Sequence, residues 1–108
     1  MSLRPVEFHI LLALAGDERH GYAILQEVTR LTEGELALEP GTLYRALHRM
    51  LGDGWVVESA RRPAADVDDQ RRRYYRLTPL GRRIATAEAD RLWRLVAFAR
   101  EQRLLTRA

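Results

Sequence analysis

The hydrophobic pattern of this chain changes period at Trp55, and that change constrains the fold more than any other feature. Before it, apolar residues recur at helical spacing. From Trp55 the stretches "WVVES" and, later, "RRYYRL" are rich in aromatic and β-branched residues that alternate as strands do, and after Thr78 the helical period returns. The order is therefore several helices, a strand pair and a final helix, before any residue is given a role.

Residues 5–15, "PVEFHILLALA", open with Pro5 at a first helical position and carry Val6, Ile10, Leu11 and Leu14 on one stripe, ended by Gly16 and Asp17. Residues 20–31 space Tyr22, Leu25, Val28 and Leu31 at three-residue intervals, with Ile24 widening the stripe, which predicts a second core helix. A turn at Gly34 and a short apolar stretch at 36–38, read as a short strand, precede a third helix opened by Pro40. Its buried face is Leu43, Leu47, Met50 and Leu51, and Gly52 and Gly54 stop it. Between the two later strands, "ARRPAADVDDQ" predicts a mobile hairpin loop of about ten residues. Thr78 and Pro79 form a strong helix start, the hydroxyl accepting a backbone N–H and the proline preset at the first helical position.

The helix that follows can run to about residue 105, ~40 Å at 1.5 Å per residue. At 100° per residue Ile84, Ala85, Ala89, Leu92, Trp93, Leu95, Val96 and Ala99 fill an arc of roughly 180°. The 108 residues suffice for one modest core, and the other elements are too short to cover that face along its length. A second copy of the chain is the simplest cover, with Leu92, Leu95, Val96 and Ala99 as its interface.

Charge points to a partner for the middle of the chain. All 18 basic residues are arginine, and residues 41 to 83 hold ten of them against five carboxylates, whereas the remainder holds eight against ten. A basic middle on an otherwise acidic chain suits a polyanion; the competing reading is a solvated surface. Cysteine is absent, which removes disulfides and thiolate chemistry. Arg4 followed by an apolar run to Ala15 resembles a secretory leader, but Glu7 and His9 interrupt it, so a core helix of a cytoplasmic protein is expected.

Helices followed by a two-stranded hairpin give the order of a winged helix-turn-helix, a mainly α (α+β) fold whose third helix enters the DNA major groove while the hairpin touches the backbone. The outward face of that helix presents Thr42, Tyr44, Arg45, His48 and Arg49. Arg45 and Arg49 each suit guanine or phosphate, and Thr42, near the helix N-terminus, suits a phosphate. Each has a structural alternative: Tyr44 borders the core, His48 is an ordinary surface residue, and Arg49 pairs with Asp53 for about 0.3 to 0.5 kcal/mol. Arg45 has no acid three or four positions on. In the wing, Arg61, Arg62, Arg71, Arg72 and Arg73 are placed for phosphates, with Asp66, Asp68 and Asp69 between them. Either the strand-proximal arginines bind while the tip stays clear of the groove, or the acids hold the arginines by local pairing.

"HGYAILQEV", "PGTLYRALHRMLGDGWV" and "RRYYRLTPLGRR", in that order, resemble the PadR family of bacterial transcriptional regulators over roughly residues 6 to 83. The resemblance implies a winged-helix DNA-binding domain at 1–78, a C-terminal dimerisation helix at 79–108, and a homodimeric repressor of an inverted-repeat operator. Arg45 stands where many members carry proline, so base preference does not transfer. The single C-terminal helix resembles the compact branch, some of whose members bind flat hydrophobic compounds at the dimer interface. Trp93 and Phe98 are the matching candidates for such an effector, with interface packing as the other reading of an aromatic there.

A winged-helix module for protein interaction or effector binding, without DNA recognition, is the alternative function. An enzyme is not expected: His9, His20 and His48 show no metal-ligand spacing, and neither a phosphate loop nor a nucleophile set is present. No cofactor or metal is expected.

Overall fold

The computed structural model describes residues 3–59 and 73–105, in the order α1 (Pro5–Ala15), β1 (Arg19–His20), α2 (Gly21–Leu31), α3 (Pro40–Gly52), β2 (Val56–Ser59), β3 (Tyr74–Leu77) and α4 (Pro79–Glu101). The loop expected between β2 and β3, with Arg61, Arg62, Arg71 and Arg72, lies outside the described residues.

Helix α1 is apolar on several sides and is accordingly the centre of the body, touching α2, α3, α4 and β3. Ile10, Leu11 and Leu14 meet Ile24 and Val28 of α2, Leu43, Leu47 and Met50 of α3, and Trp55 and Val56 in one buried cluster. Each such large side chain contributes about 1.5 to 3 kcal/mol of apolar burial.

On α2 the expected core stripe is only partly realised. Ile24 and Val28 are fully buried, but Tyr22 and Leu31 are exposed. Three-residue spacing drifts by about 60° per step around a helix, so the two ends of that stripe turn away from the face that its middle buries.

The sheet is antiparallel with order β1-β3-β2. Val56 faces Leu77 and Ser59 faces Tyr74 in the hairpin, and Arg19 and His20 pair with Tyr75 and Tyr74 on the other edge. The short strand thus lies between α1 and α2; residues 36–38 carry no strand. β1 is set by the partner edge of β3 rather than by its own two polar residues.

Helix ends explain the remaining boundaries. After α3, Trp55 N–H donates to the Met50 carbonyl (3.0 Å) and Gly54 N–H to that of Leu51 (3.2 Å), with Gly54 at φ +79°. This is a Schellman closure, and the left-handed residue it needs is glycine. The same pattern ends α4, where Leu104 N–H donates to the Ala99 carbonyl at 2.9 Å and Arg103 takes φ 60°. Helix α4 therefore stops at Glu101, short of residue 105.

At its start, α4 is joined closely to the sheet and to the end of α3. Thr78 Oγ1 accepts from Gly81 N–H at 3.0 Å, as the cap reading requires, and also donates to the Gly54 carbonyl. Thr78 N–H donates to the Trp55 carbonyl at 3.0 Å. A Cβ on Gly81 would lie 2.0 Å from that same carbonyl oxygen, so the close approach requires glycine.

Candidate nucleic-acid interface

The face of α3 opposite the core is built by subtraction. With Leu43, Ala46, Leu47 and Met50 buried, Tyr44, Arg45, His48 and Arg49 are left exposed and Thr42 half-buried. Gly41, Tyr44, Arg45, His48 and Arg49 line one shallow concavity of about 560 Å³ on this face.

The five side chains are held differently. Arg45 folds toward the first turn, where its Nη2 lies 3.4 Å from Thr42 Oγ1, a weak contact that leaves the guanidinium available. Tyr44, half exposed, is seated against α2: a Cβ on Gly21 would come within 2.3 Å of the Tyr44 hydroxyl. His48 projects outward.

Arg49 does not use Asp53. Its Nε lies 3.4 Å from Oε2 of Glu7 on α1, and the Glu7 side chain is only 6% exposed. The other carboxylate oxygen, Oε1, accepts from the backbone N–H of Arg4 at 3.0 Å, ahead of the first turn of α1. Glu7 thus has one oxygen at the start of its own helix and the other on α3. Sequence reasoning missed this pairing, because the partners are far apart along the chain and neither sits in a local charge pattern.

The first two residues of the "HGY" stretch have a structural explanation. His20 Nδ1 accepts from Ala23 N–H at 3.2 Å and caps α2, while its ring meets Tyr74 edge-on with centroids 5.3 Å apart. Gly21 provides room for Tyr44. Tyr75 lies beneath, its hydroxyl pushed above the ordinary tyrosine range chiefly by burial, with the Glu58 carboxylate and the Tyr44 phenol adding and Arg73 opposing.

At the base of the wing, Arg73 is exposed with its Nε 3.9 Å from Glu58 Oε1. Arg76 Nε lies 4.0 Å from Glu18 Oε1, whose second oxygen accepts from Ser59 Oγ at 2.7 Å. These arginines are loosely accompanied by carboxylates of the body. The tip residues Asp66, Asp68 and Asp69 lie outside the described residues.

Along α4, Gly81 and Ala85 are buried against the body, but Trp93, Leu95, Val96 and Phe98 are 62%, 55%, 38% and 59% exposed. Leu92 and Ala99 are half-buried. Leu92, Leu95, Val96 and Ala99 form one stripe, which Trp93 and Phe98 flank on opposite sides, about 100° and 120° from Leu92. Among the described residues no group of three or more His, Cys, Asp or Glu could hold a metal ion, and no helix is long and apolar enough to cross a membrane.

Comparison with known proteins agrees with this fold. Residues 10–87 match the model of the transcriptional regulator PadR-like family. Transcriptional regulator Rv3488 of Mycobacterium tuberculosis is 41% identical over 83 residues, 77% of this chain and 71% of that protein. Among solved structures, a PadR family transcription regulator from Clostridium difficile superposes with a TM-score of 0.70 at 25% identity, covering 93% of this chain and 98% of the other. Bacillus subtilis PadR, solved in complex with operator DNA, superposes with a TM-score of 0.66 at 17% identity, covering 80% of this chain and 47% of its own.

Proposed function

The chain belongs to the transcriptional regulator PadR-like family, a family of regulators rather than enzymes, and from that premise we propose that it is a homodimeric repressor binding an inverted-repeat operator in the cytoplasm. The observation that carries this reading is the outward face of α3, where Arg45 and His48 stand exposed on a helix whose opposite face is completely buried. A helix so mounted can enter a major groove without disturbing the core. The operator complex of the Bacillus subtilis neighbour supports the same use of the fold.

In this reading residues 1–78 engage DNA and residues 79–108 join two copies. Arg45 is the principal contact. Its guanidinium suits O6 and N7 of guanine with two parallel hydrogen bonds, and a phosphate where guanine is absent. Thr42 and the wing arginines, Arg61, Arg62, Arg71, Arg72 and Arg73, serve the phosphates that fix register. The exposed α4 stripe of Leu92, Leu95, Val96 and Ala99 is the surface for the second copy, which sets two recognition helices about 34 to 36 Å apart, one turn of duplex. Occupation of a promoter by such a dimer excludes polymerase. A small hydrophobic effector between Trp93 and Phe98 of opposed helices relieves repression if it prefers a dimer geometry that DNA does not.

The test is to sequence DNA recovered with the protein and titrate that duplex against salt. A log K that falls steeply with log[salt], and a slope reduced by about 0.9 per protomer in Arg45→Ala, is expected. A flat dependence, or unchanged binding by Arg45→Ala, overturns the reading and favours an interaction module without DNA recognition.

A further inference from the structure

Arg45 and Arg49 stand one turn apart on the same face, yet they are held in different ways. Arg45 reaches only the weak Thr42 contact within its own helix. Arg49 is drawn back to a buried carboxylate on α1, whose second oxygen is occupied by the Arg4 backbone N–H. A carboxylate so enclosed has lost most of its water and needs a cation, so it competes for the guanidinium more strongly than an exposed acid does. The Arg49 side chain nevertheless remains 40% exposed on the face that lines the α3 concavity.

We propose that Glu7 withholds Arg49 from the phosphates and uses it as a tie between α1 and the recognition helix, so that Arg49 is a positioning residue and Arg45 the binding one. This rests on the DNA-binding reading above. The physical consequence is specific: a guanidinium already neutralised by a fixed carboxylate releases no counterions from the duplex when the protein binds. It adds nothing to the salt dependence of affinity, however close to the backbone it lies. Removing the carboxylate charge frees a cation already on the correct face.

The experiment uses the full chain and a generic duplex of about 30 base pairs, because non-specific affinity is almost entirely counterion release. The slope of log K against log[salt] is measured for wild type, Arg45→Ala, Arg49→Ala, Glu7→Gln and the Glu7→Gln/Arg49→Ala double variant. Glutamine keeps an oxygen for the Arg4 N–H while losing the charge. The expected pattern is a slope lowered by about 0.9 per protomer in Arg45→Ala, unchanged in Arg49→Ala, raised by about 0.9 in Glu7→Gln and returned to wild type in the double variant. The return separates freed Arg49 from the general gain of a lost negative charge. A slope that falls as much in Arg49→Ala as in Arg45→Ala, or that stays at the wild-type value in Glu7→Gln, overturns the inference while leaving DNA binding intact. A flat slope in wild type overturns DNA binding itself. Should Arg49→Ala fail to fold, Arg49→Gln takes its place both alone and beside Glu7→Gln, with the same slopes expected.

Discussion

The body of this protein and the distal half of α4 draw on similar apolar residues and dispose of them in opposite ways. Ile10, Leu11, Ile24, Leu43, Leu47, Met50, Trp55 and Val56 are almost wholly enclosed within one chain. Trp93, Leu95 and Phe98 are each more than half exposed. The first set is satisfied by local topology, since two short helices, a hairpin and the start of α4 can close around α1. The second projects past them on a helix of 23 residues, ~35 Å long at 1.5 Å per residue. Stability of the body should therefore depend on the single chain, and that of the tail on what it meets.

The largest effect that would separate the two regions is expected in the body. Leu43→Ala opens a cavity at a fully buried site and should cost about 2 to 5 kcal/mol, read from urea denaturation of the dilute protein. A loss under 1 kcal/mol would mean that the body is less tightly packed than its burial indicates. Leu95→Ala should leave the dilute chain's helical signal nearly unchanged but weaken self-association by about 1 to 2 kcal/mol per protomer, counted twice across a two-fold seam. Sedimentation over a concentration series reads this directly. A wild-type chain that stays monomeric throughout would show that something other than a second copy covers the stripe.

The smallest effect concerns pH. The bidentate Arg91 contact beside Glu88 holds that carboxyl below its ordinary range, and Arg30 does the same for Glu27 on α2. A folded-state value below the unfolded one gives stability that is present above the ordinary glutamate pKa and lost as pH falls through the folded value. Glu88→Gln should therefore lower the neutral plateau slightly, since the pair is on the surface, and leave the acid end unmoved, so that part of the acid limb is flattened. Thermal melts from pH 3 to 7 would show it, and an equal shift at every pH would contradict the assignment.

Much of this fold was legible because it follows from local periodicity. The stripes of α1 and α3, the strands after Trp55, and the Thr78 cap each need only neighbouring residues, and each has its expected partners in the structure. Other features depend on distant groups. β1 exists because Arg19 and His20 meet the free edge of β3, and no pattern in two polar residues announces that. Gly21 is explained only by Tyr44, and Gly81 only by the Trp55 carbonyl. The end of α4 was misplaced because its left-handed residue is Arg103 rather than a glycine. For the candidate site, side-chain exposure on α3 could be inferred from what the core removes. Which arginine is tethered could not, since the tether lies on another helix.

A single residue, Thr78, separates β3 from α4, and it is fastened at both its amide and its hydroxyl to the end of the α3 turn. In the proposed dimer, such a joint would make the rod beyond it the long arm of a lever whose short arm carries α3. A tilt of about 5° at the seam between two copies displaces the far end of a ~35 Å arm by about 3 Å, close to one base-pair step. In the proposed dimer, mechanical gearing of this kind would convert a small adjustment among the distal aromatics into a mismatch between protein and duplex spacing, with the core left untouched.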